Sequence, residues 1–448
     1  MDRDEITKLC VAIDKKREEI ISLGEKIYRN PETGFKEFGT ARLVSEKFEE
    51  LGLKYEAFMD IPGVKVTLDT GKPGPGVAIL GELDAIICFE HPHCNRETGA
   101  VHACGHNVQV AAMIGAAIGI MDSGLMGELS GKIHFIATPA EEYIELAYRT
   151  ELKDKGTVRY LGGKPELLHR GWFNDVDICI MIHVNPSESR ISVQSSTNGC
   201  IAKKVRYIGQ ASHAGIAPQD GVNALYAANL GLMAINSLRE TFREKDCIRV
   251  HPIITKGGDV VSVIPCDVRM ETFVRGKSME AIMDAALKVD RALVGGAVSM
   301  GAKVEIENMP GYFPLAADSK LISIVEKLAC KLTGEQNIQM YGHGTGSTDI
   351  GDLSTIMPVV EIGMGGVRGG LHSSDYRNVD HEVSYILGAK MLAGLTAELL
   401  SGDAGPAFEV IRCHKPLFNK RQGYFDFVDS LFSKRLLPST DLINNIII

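Results

Sequence analysis

The stretch GKIHFIATPAEE, residues 131–142, is an apolar run that ends in two adjacent carboxylates, Glu141 and Glu142. Its length and composition predict a buried β-strand. Similar apolar runs occur at 76–89, 177–184 and 359–364. Stretches of helical period lie between and around them, at 4–28, 38–51, 106–123, 317–332 and 380–400. This alternation predicts an α/β fold whose sheet is covered by helices on both faces, with active residues where the strands end.

The length of 448 residues exceeds what one hydrophobic core usually organises, so two domains are expected. The middle of the chain is distinct, because strands and helices are predicted there in the order βαββαβ, which is typical of a ferredoxin-like domain. These elements are predicted at 199–209, 221–242, 248–256, 260–274, 278–299 and 303–309. The predicted organisation is a larger discontinuous domain, an inserted domain and a tail without an assigned role, respectively 1–195 with 309–403, 196–308, and 404–448.

Composition excludes several classes of protein. The net charge is −9 and no cluster of Lys and Arg occurs, which argues against a nucleic-acid partner. The ten cysteines form no CxxC pair and no repeating framework, which favours free thiols in a reducing compartment over a thiol-based redox or metal-storage protein. The N-terminus MDRDEITKLC lacks the apolar core of a signal peptide, and no window reaches the roughly 18 apolar residues of a membrane span. We therefore expect a cytoplasmic protein without a membrane segment.

The stretch VHACGHNVQV, residues 101–110, places His102, Cys104 and His106 within five positions. Imidazole and thiolate groups ligate divalent metal ions, but a buried thiol flanked by hydrogen-bonded histidines gives the same pattern. The strand that ends in two carboxylates favours the metal site over a solvated acidic turn, because neighbouring side chains diverge at a strand end. One carboxylate can then bind a metal ion while the other acts as a general base.

Two further histidines could complete a metal site. His183 ends the apolar run DICIMIHV, where the alternative is a histidine bonded to a backbone carbonyl at the sheet edge. His372 follows a glycine-rich loop in GGLHSSD, a context that is also typical of a structural histidine. A second cluster, His91, His93 and Cys94 in FEHPHCN, has the residue types of a metal site but also fits a loop near the mouth of a pocket.

Between about residues 15 and 402 the chain carries, in order, NPETGFKEFGTA, GELDA, HACGHN, TPAEE, IMIHV, SHAG, VIP and LHSSD. This series resembles the co-catalytic metal amidohydrolases, a family that includes carboxypeptidase G, aminoacylase, hippurate hydrolase and the indole-acetyl-amino-acid hydrolases. CGHN and GSTDIGDLS look more like the branch of aminobenzoyl-glutamate hydrolases and dipeptidases. The resemblance implies a zinc-peptidase-like catalytic domain with a mixed sheet and an inserted ferredoxin-like domain that serves as lid and dimerisation domain.

The resemblance also implies a role for each matching residue. Two divalent ions, Zn²⁺, Mn²⁺ or Co²⁺, would be held by Cys104, His106, Glu142, His183 and His372. Glu141 would be the general base that takes a proton from a metal-activated water. His213 would stabilise the oxyanion in the active site of the partner subunit of a homodimer, and Arg275 would bind the carboxylate of the substrate. Asp84 would be either an outer carboxylate that orients a ligand histidine or a strand-end cap.

The implied reaction is hydrolysis of the amide of an N-acyl amino acid, an aminobenzoyl-glutamate-like compound or a dipeptide, each a small substrate with a free carboxylate. Three residues depart from the family pattern: Ser262 replaces an asparagine that assists substrate binding, Ile87 a proline and Gln109 a histidine. These departures leave open a catalytically weak or inactive metal-binding protein on the same scaffold, which binds a small amino-acid conjugate. Without the resemblance, His213 and Arg275 are also consistent with ordinary solvated side chains.

Overall fold

The computed structural model describes residues 3–437 of the chain. The helices are α1 (Arg3–Lys15), α2 (Arg17–Tyr28), α3 (Phe38–Glu50), α4 (His106–Asp122), α5 (Leu146–Asp154), α6 (Gly163–His169), α7 (Ala224–Ser237), α8 (Met279–Met300), α9 (Ser319–Thr333), α10 (Ile350–Ser354), α11 (Gly388–Leu400), α12 (Gly405–Cys413) and α13 (Arg421–Leu431). The strands are β1 (Tyr55–Glu56), β2 (Val64–Asp69), β3 (Gly76–Glu82), β4 (Ile86–Ile87), β5 (Ala100–Val101), β6 (Lys132–Thr138), β7 (Ile178–Val184), β8 (Ile191–Thr197), β9 (Gly199–Ile208), β10 (Arg249–Val250), β11 (Ile253–Lys256), β12 (Asp267–Gly276), β13 (Lys303–Pro310), β14 (Ile338–Gly344), β15 (Val359–Met364), β16 (Val367–Arg368), β17 (Arg377–Asn378) and β18 (Ser433–Leu437).

The chain divides into two compact units. Unit 1 comprises the described residues up to Ser196, Ala316–Gly344 and Asp352–Leu417. Unit 2 comprises Thr197–Leu315, Thr345–Gly351 and the described residues from Phe418 onward. Within the tail, α12 therefore belongs to unit 1, whereas α13 and β18 belong to unit 2.

The core of unit 1 contains a mixed sheet with the strand order β1-β2-β6-β3-β7-β15-β8-β14. β3 is parallel to β6 and β7, and β15 is parallel to β7, whereas β2 and β8 are antiparallel to β6 and β15. β3 is buried along its whole length, as expected of an apolar strand in the middle of a covered sheet. The mixed α/β sheet predicted from the sequence is confirmed. Because β3, β6 and β7 run in the same direction, the segments that follow them emerge at one edge of the sheet.

The helix α4 is buried from His106 to Ile120, and α11 packs beside it. The segment Glu382–Leu400, a π-helical stretch followed by α11, is long and apolar enough to cross a membrane, with a mean hydropathy of 1.3. The sequence-based expectation concerned an uninterrupted run of about 18 apolar residues, whereas this segment includes Glu382, Lys390 and Glu398. In the structure 89% of that window is buried inside the protein, which is the environment of a core helix.

Unit 2 is built on an antiparallel sheet with the order β10-β12-β9-β13-β18, and β11 also pairs with β12. The helices α7 and α8 contact each other and this sheet, and their small and branched apolar residues fill its core. The sequence predicts that a strand begins at residue 260, but β12 begins only at Asp267. Val261 is fully exposed and Pro265 follows, so this segment forms a solvated turn rather than a buried strand. The tail strand β18 pairs antiparallel with β13 and extends the sheet.

Candidate metal centre

The stretch HACGH forms a tight turn that leads into α4. Gly105 has a φ of +82°, and a Cβ there would lie 2.3 Å from the side chain of Val184 and 2.9 Å from the hydroxyl of Tyr376. Only glycine fits this conformation and this close approach. His106 is therefore the first residue of α4, and its ring is fully buried.

The ring of His106 is oriented by Asp84, which closely follows β3. Its Nδ1 lies 2.8 Å from the backbone oxygen and 3.1 Å from the Oδ1 of Asp84, which leaves Nε2 without a hydrogen bond among the described residues. Asp84 Oδ2 also accepts a hydrogen bond from the backbone N–H of Glu142 at 2.8 Å. Asp84 thus connects the ends of β3 and β6 and directs one imidazole nitrogen toward the site, as carboxylates behind metal-binding histidines do.

Cys104 lies at the centre of the remaining predicted ligands. Its Sγ is 3.5 Å from His183 Nε2 and 3.2 Å from His372 Nε2. His372 Nε2 is also 2.9 Å from Glu142 Oε1. The Nδ1 of His183 lies 2.8 Å from the backbone oxygen of Val184, so its Nε2 faces the thiol. All five predicted ligand residues therefore lie together within unit 1.

His372 reaches this cluster through an unusual backbone conformation. It has a φ of +62°, which is sparsely populated for residues other than glycine, and its backbone N–H donates to Ala103 O at 2.9 Å. Such strain persists only where surrounding contacts enforce it, and it occurs preferentially at functional sites. The hydrogen bond to Ala103 attaches the glycine-rich loop of His372 directly to the HACGH turn.

The potential ligand atoms form three overlapping groups, and within each group they lie within 4.8 Å of one another. The groups are Cys104, His106 and His183; Cys104, Glu142 and His372; and Glu82, His106 and Glu141. Imidazole, thiolate and carboxylate donors suit a borderline divalent ion such as Zn²⁺. Because His106 Nε2 is buried and makes no hydrogen bond to any described residue, a metal ion there would satisfy an otherwise unsatisfied ligand atom. The residues present therefore fit a metal centre.

The charges in the site shift one another's pKa values. Burial and Glu142 raise the pKa of the Cys104 thiol, but His183 and His106 outweigh them and lower it to about 6. Burial raises the pKa of Glu142, yet the nearby His372 brings it down to about 2. Glu142 in turn raises the pKa of His372 to about 11, against the effect of burial. The thiol and the carboxylate are thus ionised near neutral pH, which is the form that binds metal ions.

The turn that carries Glu141 and Glu142 is held by the buried guanidinium of Arg149. Its nitrogens donate to the backbone oxygens of Ala140 and Leu161, at 3.0 and 2.6 Å, and also to that of Glu142. Ala140 has a φ of +55°, and this left-handed residue redirects the chain directly before the two carboxylates. Arg149 is a positioning residue that sequence reasoning missed, because nothing in its local sequence distinguishes it from a solvated arginine.

Sequence reasoning also missed Glu82, although it lies in the quoted motif GELDA. Burial raises the pKa of Glu82, but Lys164 and His106 lower it more. Lys164 Nζ donates to Glu82 Oε1, and Gln109 Nε2 donates to Glu82 Oε2 at 2.7 Å. All three side chains are fully buried. Gln109, a departure from the family pattern, is thus part of the support beneath the site.

The other predicted site residues lie in unit 2. His213 is exposed, and its Nδ1 accepts hydrogen bonds from the backbone N–H groups of Gly215 and Ile216, both at 3.1 Å. Ser262 is also exposed, and its carbonyl accepts a hydrogen bond from Ala214 N at 2.9 Å, so the segments of His213 and Ser262 adjoin. Arg275 lies on β12, with its Nε 3.2 Å from His251 Nε2.

The second histidine and cysteine cluster has a different arrangement. His91 is buried with its Nε2 3.0 Å from the backbone oxygen of Tyr376, and His93 Nδ1 lies 3.1 Å from the hydroxyl of Tyr28. Cys94 Sγ lies 3.4 Å from the backbone oxygen of Phe89. Among the described residues these three form no group of converging ligand atoms. The cluster fits a structural loop better than a second metal site.

Comparison with known proteins gives a consistent result. The model of peptidase family M20/M25/M40 matches residues 78–398. The chain is 28% identical over 329 residues to thermostable carboxypeptidase 2 of Saccharolobus solfataricus, a match that covers 70% of this chain and 78% of that protein. It is 27% identical over 385 residues to the Xaa-Arg dipeptidase of Homo sapiens, covering 79% of this chain and 78% of that one. It is 25% identical over 375 residues to one subunit of the p-aminobenzoyl-glutamate hydrolase of Escherichia coli, covering 71% and 80%.

Solved structures share the fold. The YXEP protein of Bacillus subtilis, described as a dinuclear metal-binding peptidase of the M20 family, superposes with a TM-score of 0.63 at 20% identity and covers 86% of this chain and 99% of its own. An aminobenzoyl-glutamate utilization protein of Klebsiella pneumoniae gives a TM-score of 0.64 at 18% identity and covers 86% of this chain and 97% of its own. At these identities the likeness concerns the fold alone.

Proposed function

The chain belongs to peptidase family M20/M25/M40 and is a metal-dependent hydrolase of amide bonds, as the ordered motifs predicted, and from this we propose its substrate class and mechanism. The substrate is a small amide with a free carboxylate: an N-acyl amino acid, an aminobenzoyl-glutamate-like compound or a dipeptide. The observation that carries the proposal is the convergence of Cys104, His106, Glu142, His183 and His372, with Glu141 beside them.

We propose that these five residues would hold two divalent ions. The overlap of the three ligand groups at Cys104 and His106 supports two positions rather than one. When bound, the ions lower the pKa of water and polarise the amide carbonyl. Zn²⁺, Mn²⁺ and Co²⁺ all accept this mixture of nitrogen, oxygen and sulfur donors.

Glu141 is the proposed general base. Its Oε2 lies 4.0 Å from His106 Nε2, near the ligand atoms, whereas the neighbouring Glu142 is directed to His372. The carboxylate of Glu141 accepts the proton of the attacking water and passes it to the leaving amine. The left-handed turn at Ala140, held by Arg149, gives the two adjacent glutamates these different directions.

His213 is the proposed donor to the substrate oxyanion. Because its Nδ1 accepts two backbone hydrogen bonds, the neutral ring carries its proton on Nε2, which is the nitrogen left to donate. A donor aimed at a developing oxyanion is worth about 10²–10³ in turnover. We propose that it acts in the active site of the partner subunit.

Arg275 is the proposed site for the substrate carboxylate. Burial lowers the pKa of His251, and Arg275 lowers it further, so the ring is neutral and its Nε2 can accept the Arg275 Nε–H. The guanidinium Nη atoms of Arg275 have no carboxylate partner within residues 3–437, and they offer the paired donors that a carboxylate binds. Ser262, where the family has asparagine, is proposed to contact the substrate near His213.

A homodimer through unit 2 is proposed from one sheet edge. β11 pairs with β12 and leaves its other edge unpaired among the described strands. Ile253 and Ile254 on that edge are 60% and 41% exposed, and unpaired apolar edges favour pairing with another chain. Light scattering of Ile253→Glu tests the dimer: a persistent dimer would argue against this edge.

All ten cysteines are free, which supports the proposal of a reducing, cytoplasmic location.

The substrate class is tested with metal-depleted protein that is reloaded separately with Zn²⁺, Mn²⁺ or Co²⁺. Amine release is measured from a panel of N-acyl amino acids, aminobenzoyl-glutamate and dipeptides, each with its carboxylate free or amidated. The proposal expects hydrolysis of free-carboxylate substrates by the reloaded wild type, loss of hydrolysis in Glu141→Gln, and a raised KM in Arg275→Lys. Equal hydrolysis of the amidated compounds would overturn the role of the carboxylate.

A further inference from the structure

The carboxylate of Glu82 is completely buried at the end of β3, directly under the metal centre. Its relative exposure is 0%, so an ionised carboxylate at this place needs compensation for lost hydration. Lys164 Nζ, also 0% exposed, donates to Oε1 from the first turn of α6. Gln109 Nε2 donates to Oε2 at 2.7 Å, while the Gln109 Oε1 accepts the backbone N–H of Glu82 at 3.1 Å. The carboxylate is therefore held on two sides in one orientation.

The second lone pair of Glu82 Oε2 faces His106. The distance from Oε2 to His106 Nε2 is 3.1 Å, but Nε2 makes no hydrogen bond among the described residues. The Nδ1 of the same ring lies at hydrogen-bond distance from Asp84, so Nε2 is the ring nitrogen that faces Glu82 Oε2. At 3.1 Å these two atoms can share one cation, either a proton in an ion pair or a metal ion in its place.

The separation fits two ligands of one ion. Adjacent nitrogen and oxygen ligands, each bonded at about 2.0–2.2 Å, lie about 3 Å apart. Glu141 Oε2, at 4.0 Å from the same nitrogen, is further away than Glu82 Oε2. Among the carboxylates near His106, Glu82 is thus the one placed as a ligand, and Glu141 is left to act as a base.

We propose that Glu82 is a sixth protein ligand, which binds through Oε2 the same divalent ion as His106 Nε2, and that Lys164 and Gln109 are positioning residues for its carboxylate. The inference rests on the proposed metal centre and specifies one of its two positions. It makes the two positions chemically unequal, because it adds a carboxylate at the position of His106, whereas Glu142 and His372 belong to the other ligand group. An added carboxylate makes this position more suitable for ions such as Mn²⁺ than a site of nitrogen and sulfur ligands alone.

The first test measures Co²⁺ binding to metal-depleted protein, by chelator competition and by the visible absorption of the bound ion. Glu82→Gln removes the anionic ligand with little change in shape, and Lys164→Met removes the ammonium behind it. Each is expected to weaken one of the two bound Co²⁺ ions by about 10–100-fold and to change its absorption, while the second ion binds as in wild type. Two Co²⁺ ions with unchanged affinity and absorption in Glu82→Gln would overturn the inference.

Lys65→Met is the matched control. Lys65 is also a buried lysine of unit 1, and it donates to Trp172 O at 2.8 Å and to Asp175 Oδ1 at 2.7 Å, away from the ligand residues. It should bind both ions as wild type does, so an equal loss of one ion in Lys65→Met would assign the effect of Lys164→Met to general destabilisation and count against the positioning role.

A second measurement does not depend on any variant. In a crystal structure of the Co²⁺-loaded wild type, the Oε2 of Glu82 should lie about 2.0–2.2 Å from one ion. A distance beyond about 3 Å overturns the inference even if all variants fail to fold. Wild type that binds two ions and hydrolyses amides with Glu82 remote from both refutes this inference alone, whereas wild type that binds no ion refutes the proposed metal centre as well.

Discussion

The two units each bury a lysine–carboxylate pair, but the pairs differ in what surrounds them. In unit 2, Lys203 Nζ donates to Asp290 Oδ1 at 2.6 Å and to Asn308 Oδ1 at 2.7 Å, and Asp290 Oδ2 accepts from Arg435 at 2.7 Å. In unit 1, the pair Lys164 and Glu82 adjoins His106 Nε2, a buried atom without a hydrogen bond among the described residues. One network is closed by protein atoms, and the other is open at a ligand atom.

The difference separates stabilising charges from functional ones. A buried charge costs free energy unless it is paired and hydrogen-bonded, so a closed network is what folding alone selects. An open position in a buried network lowers stability until something occupies it. The open network therefore indicates where a metal ion belongs, and the comparison predicts that substitutions in it change metal binding or turnover, whereas substitutions in the closed network change folding.

Glu141→Gln should produce the largest effect. The amide cannot accept a proton, and loss of a general base typically costs about 10²–10⁴ in turnover. Metal content should remain that of wild type, because Glu141 is not among the proposed ligands. Its neighbour provides the matched variant: Glu142→Gln should lose metal as well as activity. Measurement of kcat together with bound metal checks both, and loss of metal in Glu141→Gln would contradict the division of roles.

The variant His213→Ala tests whether unit 2 contributes to the reaction. If its Nε2 donates to the substrate oxyanion, kcat should fall by about 10²–10³ with unchanged metal content. His213→Gln retains an N–H donor and should recover part of the loss, which a purely structural role would not explain. A fully active His213→Ala variant would confine the chemistry to unit 1.

Lys203→Met should affect stability and leave metal content unchanged. Breaking a buried pair costs about 3–5 kcal/mol, and the lower end is expected because Arg435 still pairs with Asp290. Denaturant unfolding monitored in unit 2 measures the loss. The control is Lys288→Met, which removes a partly exposed ion pair with Asp284 one turn away on α8 and should cost less than about 1 kcal/mol. Similar losses of unfolding free energy in both variants would show that the buried network of Lys203 stabilises the fold no more than a partly exposed ion pair.

The α/β sheet and two of the proposed ligands, Glu142 and His183, could be predicted from the residues themselves for the same physical reason, whereas the full ligand set came from the family resemblance. Glu142 and His183 stand at or just beyond the ends of parallel strands, and such ends meet at one edge of a sheet. His106 begins a helix that starts at that edge. Local periodicity locates the strand ends of Glu142 and His183, whereas the role of His106 was implied only by the family resemblance.

The buried residues that adjoin the ligands, Glu82 and Lys164, could not be predicted in this way. Glu82 and Lys164 lie 82 residues apart in the chain, and their pairing depends on how α6 packs after the β6 turn. His102 illustrates the limit of spacing, since all three side chains of the HACGH turn could ligate a metal ion and only the family resemblance left His102 out of the predicted ligands. It is buried, burial lowers its pKa to about 3, and it belongs to none of the ligand groups among the described residues. Spacing alone cannot distinguish a ligand histidine from its buried neighbour.

His134, in β6 of unit 1, offers the finest test, because it is a closed counterpart of the open His106. Its Nδ1 lies 3.0 Å from Thr67 Oγ1 and its Nε2 lies 3.1 Å from Asp175 O, so both nitrogens are satisfied in the neutral ring. Burial lowers its pKa from 6.5 to about 4. Between these pH values His134 therefore binds a proton in the unfolded chain but not in the folded chain. Its contribution to the free energy of unfolding is complete above pH 6.5 and decreases as the pH falls toward 4.

The expected loss is about 3 kcal/mol of unfolding free energy between about pH 7 and pH 4, at about 1.4 kcal/mol for each pH unit. Urea unfolding of metal-depleted wild type and His134→Gln across this range measures it, since the variant lacks the titrating ring and should have the shallower pH dependence. Metal depletion removes the contribution of the open site from both proteins. Parallel curves would mean that the His134 ring accepts a proton in the folded state, and that a closed hydrogen-bond network in unit 1 does not by itself hold a buried histidine neutral.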